Sequence, residues 1–349
     1  MSSNSKKDSR ARNKKRGILV FFLYLAIILF FLWFLVFLWY FFLNDPKKNI
    51  GILDNVNSLT NKDDHTEQYE SINSNHEQKV TNQETDDTEN AIGDPERDEY
   101  LPPMDLLFQK RELKFEDIGS IFENMKSPKK PEILSTFGKD VIYIYHSHSR
   151  ESFLPYLRDI FTPEEAYHSI ANITLVGQML GRALENNGVG TSVDSSDIVK
   201  LLDAYNLDYG SSYDISGEIV NNAQKDNADL EYFFDIHRDS LRKEDTTAEI
   251  NGLNYAKLLF VVGTGHKNYE KNLIFANELQ TRLENLYPGL SKGILQKGSH
   301  EGNGIYNQDL SPNSIILEIG GVDNTADELH RSTEAFAEVL SDYYWFREE

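Results

Sequence analysis

No cysteine occurs among the 349 residues of this chain. That excludes disulfides, thiolate zinc sites and thiol nucleophiles. Basic residues are scarce as well: 35 Lys and Arg stand against 56 Asp and Glu, a net charge of −21. Seven of the basic residues (Lys6, Lys7, Arg10, Arg12, Lys14, Lys15, Arg16) crowd the first 16 positions, where only Asp8 opposes them. Beyond that arm 28 basic residues face 55 acidic ones, a net charge of −27. So acidic a chain does not grip phosphates, and no nucleic-acid partner is expected. An anionic polymer is within reach only through a local site, not through global steering.

Residues 17–43 lack charge altogether and are dominated by Phe, Leu, Ile and Trp. As a helix the run is about 40 Å long at ~1.5 Å per residue, enough to span a bilayer core with some tilt. It is too long for an ordinary signal-peptide core, and no small-x-small cleavage site follows it. An uncleaved signal anchor is expected, with residues 1–16 cytoplasmic by the positive-inside rule and the rest outside the cell membrane. Residues 44–100 have few large apolar groups and carry 15 acidic and 5 basic residues. Such a segment buries too little surface to offset its ordering entropy, so a disordered acidic linker is expected. Residues 101–138 read as a connecting arm, with short helical pieces around Leu106–Phe108 and Ile118–Phe122 and breaks at Pro128 and Pro131.

From residue 139 to 349 strand and helix signals alternate. Val141–Tyr145 is a β-branched and aromatic run, and Val189–Val193, Leu230–Ile236, Tyr255–Val262 and Ser314–Ile319 follow as strands. Thr162-Pro-Glu-Glu165 has the form of a capping box opening a helix with apolar positions from Ile170 to Leu184, closed by Gly188. Further helices are expected near Ile215–Lys225, over Tyr269–Tyr287, and after Thr325-Ala-Asp-Glu328. The pattern predicts an α/β domain with a mostly parallel central sheet and helices on both faces.

Polar chemistry concentrates where these strands stop. In open α/β sheets ligands bind beyond the carboxyl ends of the strands. Val141–Tyr145 runs straight into His146, Ser147, His148, Ser149, Arg150 and Glu151, and His148 with Glu151 forms an H-x-x-E pair. His237 ends the third strand. Two His and one Glu, with water in the fourth position, form a known catalytic zinc set. One Zn2+ per chain is therefore expected on His148, Glu151 and His237, with His168 as the alternative to Glu151. His146 and Asp235 are expected to support those ligands from behind. Glu318 lies in Ile-Ile-Leu-Glu-Ile-Gly-Gly, where a carboxylate is costly unless a cation is near, and reads as the catalytic base. Arg150 and Arg238 are candidates to meet transition-state charge. Tyr306 and Asn307, in a polar loop, are candidates to bind peptide groups of the substrate.

The motifs Tyr145-His-Ser-His-Ser-Arg-Glu-Ser-Phe153, Asp235-Ile-His-Arg-Asp-Ser240, Gly304-Ile-Tyr-Asn-Gln-Asp309 and Leu317-Glu-Ile-Gly-Gly-Val-Asp-Asn324 resemble the stage II sporulation protein P family of endospore-forming bacteria. The resemblance implies a zinc amidase-like fold and a peptidoglycan hydrolase of engulfment at the sporulation septum. It implies N-acetylmuramoyl-L-alanine amidase activity, with cleavage of peptide cross-links beside it, and work alongside sporulation proteins D and M. A non-catalytic wall-binding or scaffold protein that keeps the fold is the competing expectation; the presence of all four site residues argues against it.

Overall fold

Residues 101–125 and 134–347 are described by a computed structural model. The expected anchor and acidic linker lie outside these residues. Among the described residues no helix is long and apolar enough to cross a membrane.

Six strands form the central sheet: β1 (Asp140–Tyr145), β2 (Gly190–Val193), β3 (Tyr232–Asp239), β6 (Leu258–Gly263), β7 (Ser291–Lys297) and β8 (Ser314–Gly321), in the order β2-β1-β3-β8-β6-β7. After the short helix α6 (Lys243–Thr246), a hairpin of β4 (Thr247–Ile250) and β5 (Leu253–Ala256) stands apart, turning at Asn251-Gly252 with both residues at positive φ. The first four strands of the sheet run parallel. β6 runs antiparallel to β8, and β7 is parallel to β6. The sheet is thus largely parallel, with a reversed pair at one edge.

The single apolar run expected over Tyr255–Val262 divides at Lys257 into the end of β5 and the whole of β6. Lys257 N–H donates to the Thr246 carbonyl, which turns the chain out of the hairpin and into the sheet. β3 runs two residues beyond His237, so that histidine lies inside the strand.

Alternation along the strands sorts residues to two faces. Ile142, Ile144, Phe234, Ile236, Ile315, Leu317 and Ile319 enter the main core. It is completed by α3 (Thr174–Asn186), α7 (Tyr269–Leu286) and α8 (Ala326–Phe346). The opposite face carries Tyr143, Tyr145 and Phe233 against α5 (Ser212–Asp226), which packs on α4 (Ile198–Tyr205). α8 opens with the expected capping box: Thr325 accepts from the backbone of Glu328, and the Glu328 side chain accepts from Thr325 N–H.

The other expected capping box has a different fate. Pro163–Glu165 makes one 3₁₀ turn, and α3 begins only at Thr174. Ile170, expected on a buried helical face, is 60% exposed. The intervening backbone is drawn away by long-range hydrogen bonds. Ser152 N–H donates to the Ala166 carbonyl, His168 N–H to that of Arg150, and Ile173 N–H to that of Glu151. Preceding the sheet, α1 (Met104–Phe108) and α2 (Ile118–Glu123) pack on the domain, with Ile118 and Phe122 inside the main core.

Candidate metal centre

The chain leaves β1 toward β2 on one side of the sheet, while β3 leads to the strands on the other. The reversal of strand order therefore falls between β1 and β3, where doubly wound sheets open a crevice. The loop after β1 supplies His148 and Glu151 to that crevice, and β3 supplies His237. One ligand-type atom from each of the three lies within 4.8 Å of the others. His148 Nδ1 is 3.6 Å from Glu151 Oε1, and His237 Nδ1 is 3.6 Å from Glu151 Oε2. The two imidazoles meet edge to face with ring centroids 4.9 Å apart. All three side chains are largely buried.

The far side of His237 is held by groups that orient it. Asp235 Oδ1 lies 3.1 Å from His237 Nε2 and is fully buried. Ser147 ties the arrangement together: its N–H donates to Asp235 Oδ1 at 2.8 Å and its Oγ–H to Oδ2 at 2.6 Å, while the same Oγ lies 3.0 Å from His237 Nε2. Nε2 thus carries the proton, donated to Asp235, and Nδ1 is presented toward Glu151. A carboxylate behind a ligand histidine fixes tautomer and ring orientation in metal sites. Tyr209 stacks on His148 at 4.7 Å and Tyr213 tilts against it at 5.3 Å. Ser147, Tyr209 and Tyr213 are functional neighbours that the sequence reading did not single out. Only the alternation Ser147-His148 at a strand end hinted at the first.

Electrostatically the pocket is built around positive charge. Burial pushes the Glu151 carboxyl up, but His237, His148 and Arg238 outweigh it and hold that carboxyl well below the usual range. Burial pulls His237 down, and Asp235 and Glu151 override it, raising its imidazole well above its ordinary value. Two buried carboxylates bracketing one ring, with a second imidazole beside them, match a divalent cation with nitrogen and oxygen ligands. The donor set present fits zinc.

Glu318 is the direct register partner of His237 across the parallel β3–β8 pair. Side chains of such partners leave the same face of a sheet, so Glu318 stands beside the triad without belonging to it. Burial, and next Asp239, push its carboxyl up to about 8 against Lys297, His237 and Lys292. His168 is not part of the cluster. Its Nδ1 accepts from the N–H groups of Ile170 and Ala171, each at 3.0 Å, so the ring caps its own loop. Of the two candidates expected for the middle position, Glu151 lies in the cluster and His168 does not. His146 turns the other way. Its Nδ1 meets the Asp194 carbonyl at 2.9 Å, its Nε2 is packed under Gly177, and burial pulls its pKa down to about 4.

The expected substrate-binding residues occupy structural positions. Arg150 is buried and spends its donors on Asp197 (2.9 and 2.8 Å) and the Leu107 carbonyl (2.8 Å), with Phe108 over the guanidinium. Arg238 donates from its guanidinium to the carbonyls of Ser152, Asp239, Pro163 and Ala166. Its backbone N–H, however, donates to Glu151 Oε2 at 3.0 Å and so aims that carboxylate. Tyr306 is buried edge-on against Tyr213, and Asn307 holds Ser216 of α5 at 3.0 Å. Both residues sit at positive φ (56° and 58°). Such a backbone is uncommon for a bulky tyrosine and persists only where its surroundings hold it. The hold is supplied by buried Gln308, whose amide bonds Gly263 N–H and the Val261 carbonyl at 2.9 Å each.

The family model of stage II sporulation protein P matches residues 40–341. The chain belongs to the stage II sporulation protein P family. Stage II sporulation protein P of Bacillus subtilis (strain 168) is 45% identical over 252 residues, which are 72% of this chain and 63% of that relative. The matched stretch thus spans somewhat less than two thirds of the relative's length. Within the family match lie all the ligand-type residues of the triad, and Glu318 with them.

Proposed function

We propose that this sporulation protein is a zinc-dependent peptidoglycan hydrolase that cleaves the amide between muramic acid and L-alanine, and peptide cross-links at the same site. The observation that carries the reading is the convergence of His148, Glu151 and His237 beside a register-paired Glu318. His148, Glu151 and His237 would hold the ion. When bound, zinc acidifies water and polarises an amide carbonyl.

The chain's own residues divide the remaining work. Asp235 keeps the proton on His237 Nε2, so that Nδ1 offers its lone pair. Arg238 N–H fixes the rotamer of Glu151. Glu318, as carboxylate, takes a proton from water and returns it to the leaving amine, a role suited to a pKa near the working pH. Tyr209 and Tyr213 wall the His148 side and keep bulk water from it. On this reading residues 17–43 anchor the enzyme in the cell membrane, residues 44–100 let it reach the wall, and sporulation proteins D and M are its partners.

The test is metal analysis of the purified full-length chain together with mass spectrometry of its products on cross-linked peptidoglycan. One zinc per chain is expected, with both cleavages lost in His148→Ala and Glu318→Gln. Glu318→Gln should keep the metal and lose about 100-fold or more in turnover. Full turnover after exhaustive chelation would overturn the assignment. Turnover in neither wild type nor variants, with metal bound, would instead favour a wall-binding scaffold.

A further inference from the structure

The loop Gly304–Asp309 takes no part in the chemistry proposed above, yet its backbone is costly. Tyr306 and Asn307 are the only two consecutive non-glycine residues at positive φ among the described residues. Such strain persists only where the surroundings over-determine it, and it gathers at functional sites. Here the surroundings hold the loop from several sides. A Cβ on Gly263, at the end of β6, would stand 2.8 Å from Tyr306 Cδ2, so the strand end is cut back to seat the ring. Asn303 Oδ1 accepts from the N–H groups of Ile305 and Tyr306 at 3.1 and 2.6 Å. Asn272 of α7 sets its Nδ2 3.2, 2.8 and 2.8 Å from the carbonyls of Gln308, Ser311 and Ser314.

The two strained residues both grip α5 at Tyr213. The Tyr306 ring meets the Tyr213 ring edge to face, with centroids 5.2 Å apart. Asn307 Nδ2 donates to Ser216 Oγ at 3.0 Å, and that hydroxyl donates to the Tyr213 carbonyl at 3.2 Å. A Cβ on Gly217 would lie 2.7 Å from Asn307 Oδ1, so α5 is cut back as well. One loop residue thus holds the ring of Tyr213 and the next holds its backbone. Tyr213 in turn lies 5.3 Å from the His148 ring, and Tyr209, 4.7 Å from it, sits in the turn that opens α5. Burial with Leu259, Val261 and Ile316 alone would make Tyr306 an ordinary core residue. The double tie to a neighbour of a ligand histidine sets it apart.

We propose that the Gly304–Asp309 loop is a positioning element for the metal centre, in which Tyr306 and Asn307 fix Tyr213 and Tyr213 fixes the His148 ring. The proposal deepens the metal-site reading and rests on it. An imidazole must hold one plane to present its lone pair to an ion, and groups that support ligands from behind govern metal affinity. Neither loop residue touches the ligands, so both act through α5.

The test is zinc affinity of the purified full-length chain, by competition with a chromogenic chelator. Tyr306→Leu should weaken zinc about tenfold, at the low end of what losing a supporting group costs, while Tyr306→Phe keeps the ring and should stay within about twofold of wild type. Tyr213→Leu should lose at least as much as Tyr306→Leu, and the double variant no more than Tyr213→Leu alone, because the coupling runs through Tyr213. Leu295→Ala, which packs on the same cluster, should lower the melting temperature and leave zinc affinity unchanged. A purely structural Tyr306 would behave like Leu295. Wild-type zinc affinity in folded Tyr306→Leu, or additive losses in the double variant, would overturn the proposal. If Tyr306→Leu does not fold, Ser216→Ala decides: it cuts only the tie from Asn307, should weaken zinc about threefold, and an unchanged affinity would refute the positioning role. Failure of wild type to bind zinc would sink the metal reading itself. The rate at which diethyl pyrocarbonate modifies His148 in metal-free protein, read by mass spectrometry, then decides positioning alone. It should rise several-fold in Tyr306→Leu and not in Leu295→Ala, and equal rates would reject it.

Discussion

Glu318 offers a test in which stability reports on function. Its carboxyl is pushed by burial and Asp239 from 4.5 up to about 8. A group whose folded pKa lies above its unfolded value binds more protons in the folded state. Its protonated form is the one folding favours, so stability is lost as pH rises from about 4.5 through 8. A displacement of this size corresponds to ~5 kcal/mol at ~1.4 kcal/mol per pH unit. Glu318 is partly exposed, and solvent relaxation reduces that figure to about 2 kcal/mol. Glu318→Gln imitates the protonated carboxyl at every pH. Metal-free protein carrying it should therefore melt at the wild-type temperature at pH 5 and some 4–8 °C higher at pH 9.5, using ~2–4 °C per kcal/mol for a domain of this size. Loading with Zn2+ should shrink the gap, because a divalent ion beside the carboxylate favours its ionised form. Thermal denaturation followed by circular dichroism at the two pH values, with and without metal, makes the comparison. An unchanged or lowered melting temperature for the variant at pH 9.5 would show that the site does not strain this carboxylate.

Asp235→Asn should weaken zinc binding about 10- to 100-fold, since it removes the acceptor that fixes His237; competition with a chromogenic chelator measures it, and wild-type affinity would remove Asp235 from the site. Gly177→Ala gains ~1 kcal/mol of helix propensity but drives a methyl into His146 Nε2, so a net loss of about 1–3 kcal/mol is expected by urea denaturation. His146→Ala in the same chain should recover most of that loss, whereas additive losses would mean the ring is not pinned there. Stability should rise with free Zn2+ by ~4 kcal/mol at 1,000 times Kd, and a melting temperature indifferent to zinc would contradict a site formed only in the folded chain.

How much of this was legible beforehand depended on whether the determining contact was local. The runs Val141–Tyr145 and Ser314–Ile319 are apolar because both faces of these strands are covered, and they stop in polar residues where the crevice opens. Strand ends and ligand candidates could therefore be read directly. The α3 start could not, since Thr162-Pro-Glu-Glu165 satisfies local capping rules while the next eight residues answer to partners near residue 151. Arg150 and Arg238 look like charge stabilisers beside a metal motif. Their actual partners are mostly main-chain carbonyls, which have no signature in sequence.

The ligand loop shows why those unreadable contacts matter to the chemistry. An H-x-x-E pair in a free loop would sample many rotamers, and ordering them would consume much of the metal's binding energy. Here every residue from Ser147 to Ser152 is fastened to something different. Ser147 is tied to Asp235 on β3, and Ser149 Oγ accepts from Ile198 N–H at the start of α4. Arg150 is clamped by Asp197 and α1, while Glu151 bridges to Tyr167 and receives Arg238 N–H. Ser152 donates its hydroxyl to the Ala171 carbonyl. His148 is held by its pairing with Glu151 and by ring contacts with Tyr209, Tyr213 and His237. The arm before the sheet, the two crossover segments and β3 thus converge on six residues. Loosening any one of these elements should degrade metal affinity before it degrades the fold. Of the two arginines that sequence reasoning would spend on substrate, Arg238 holds the Glu151 carboxylate in place through its N–H, while Arg150 pins the loop to Asp197 and the Leu107 carbonyl.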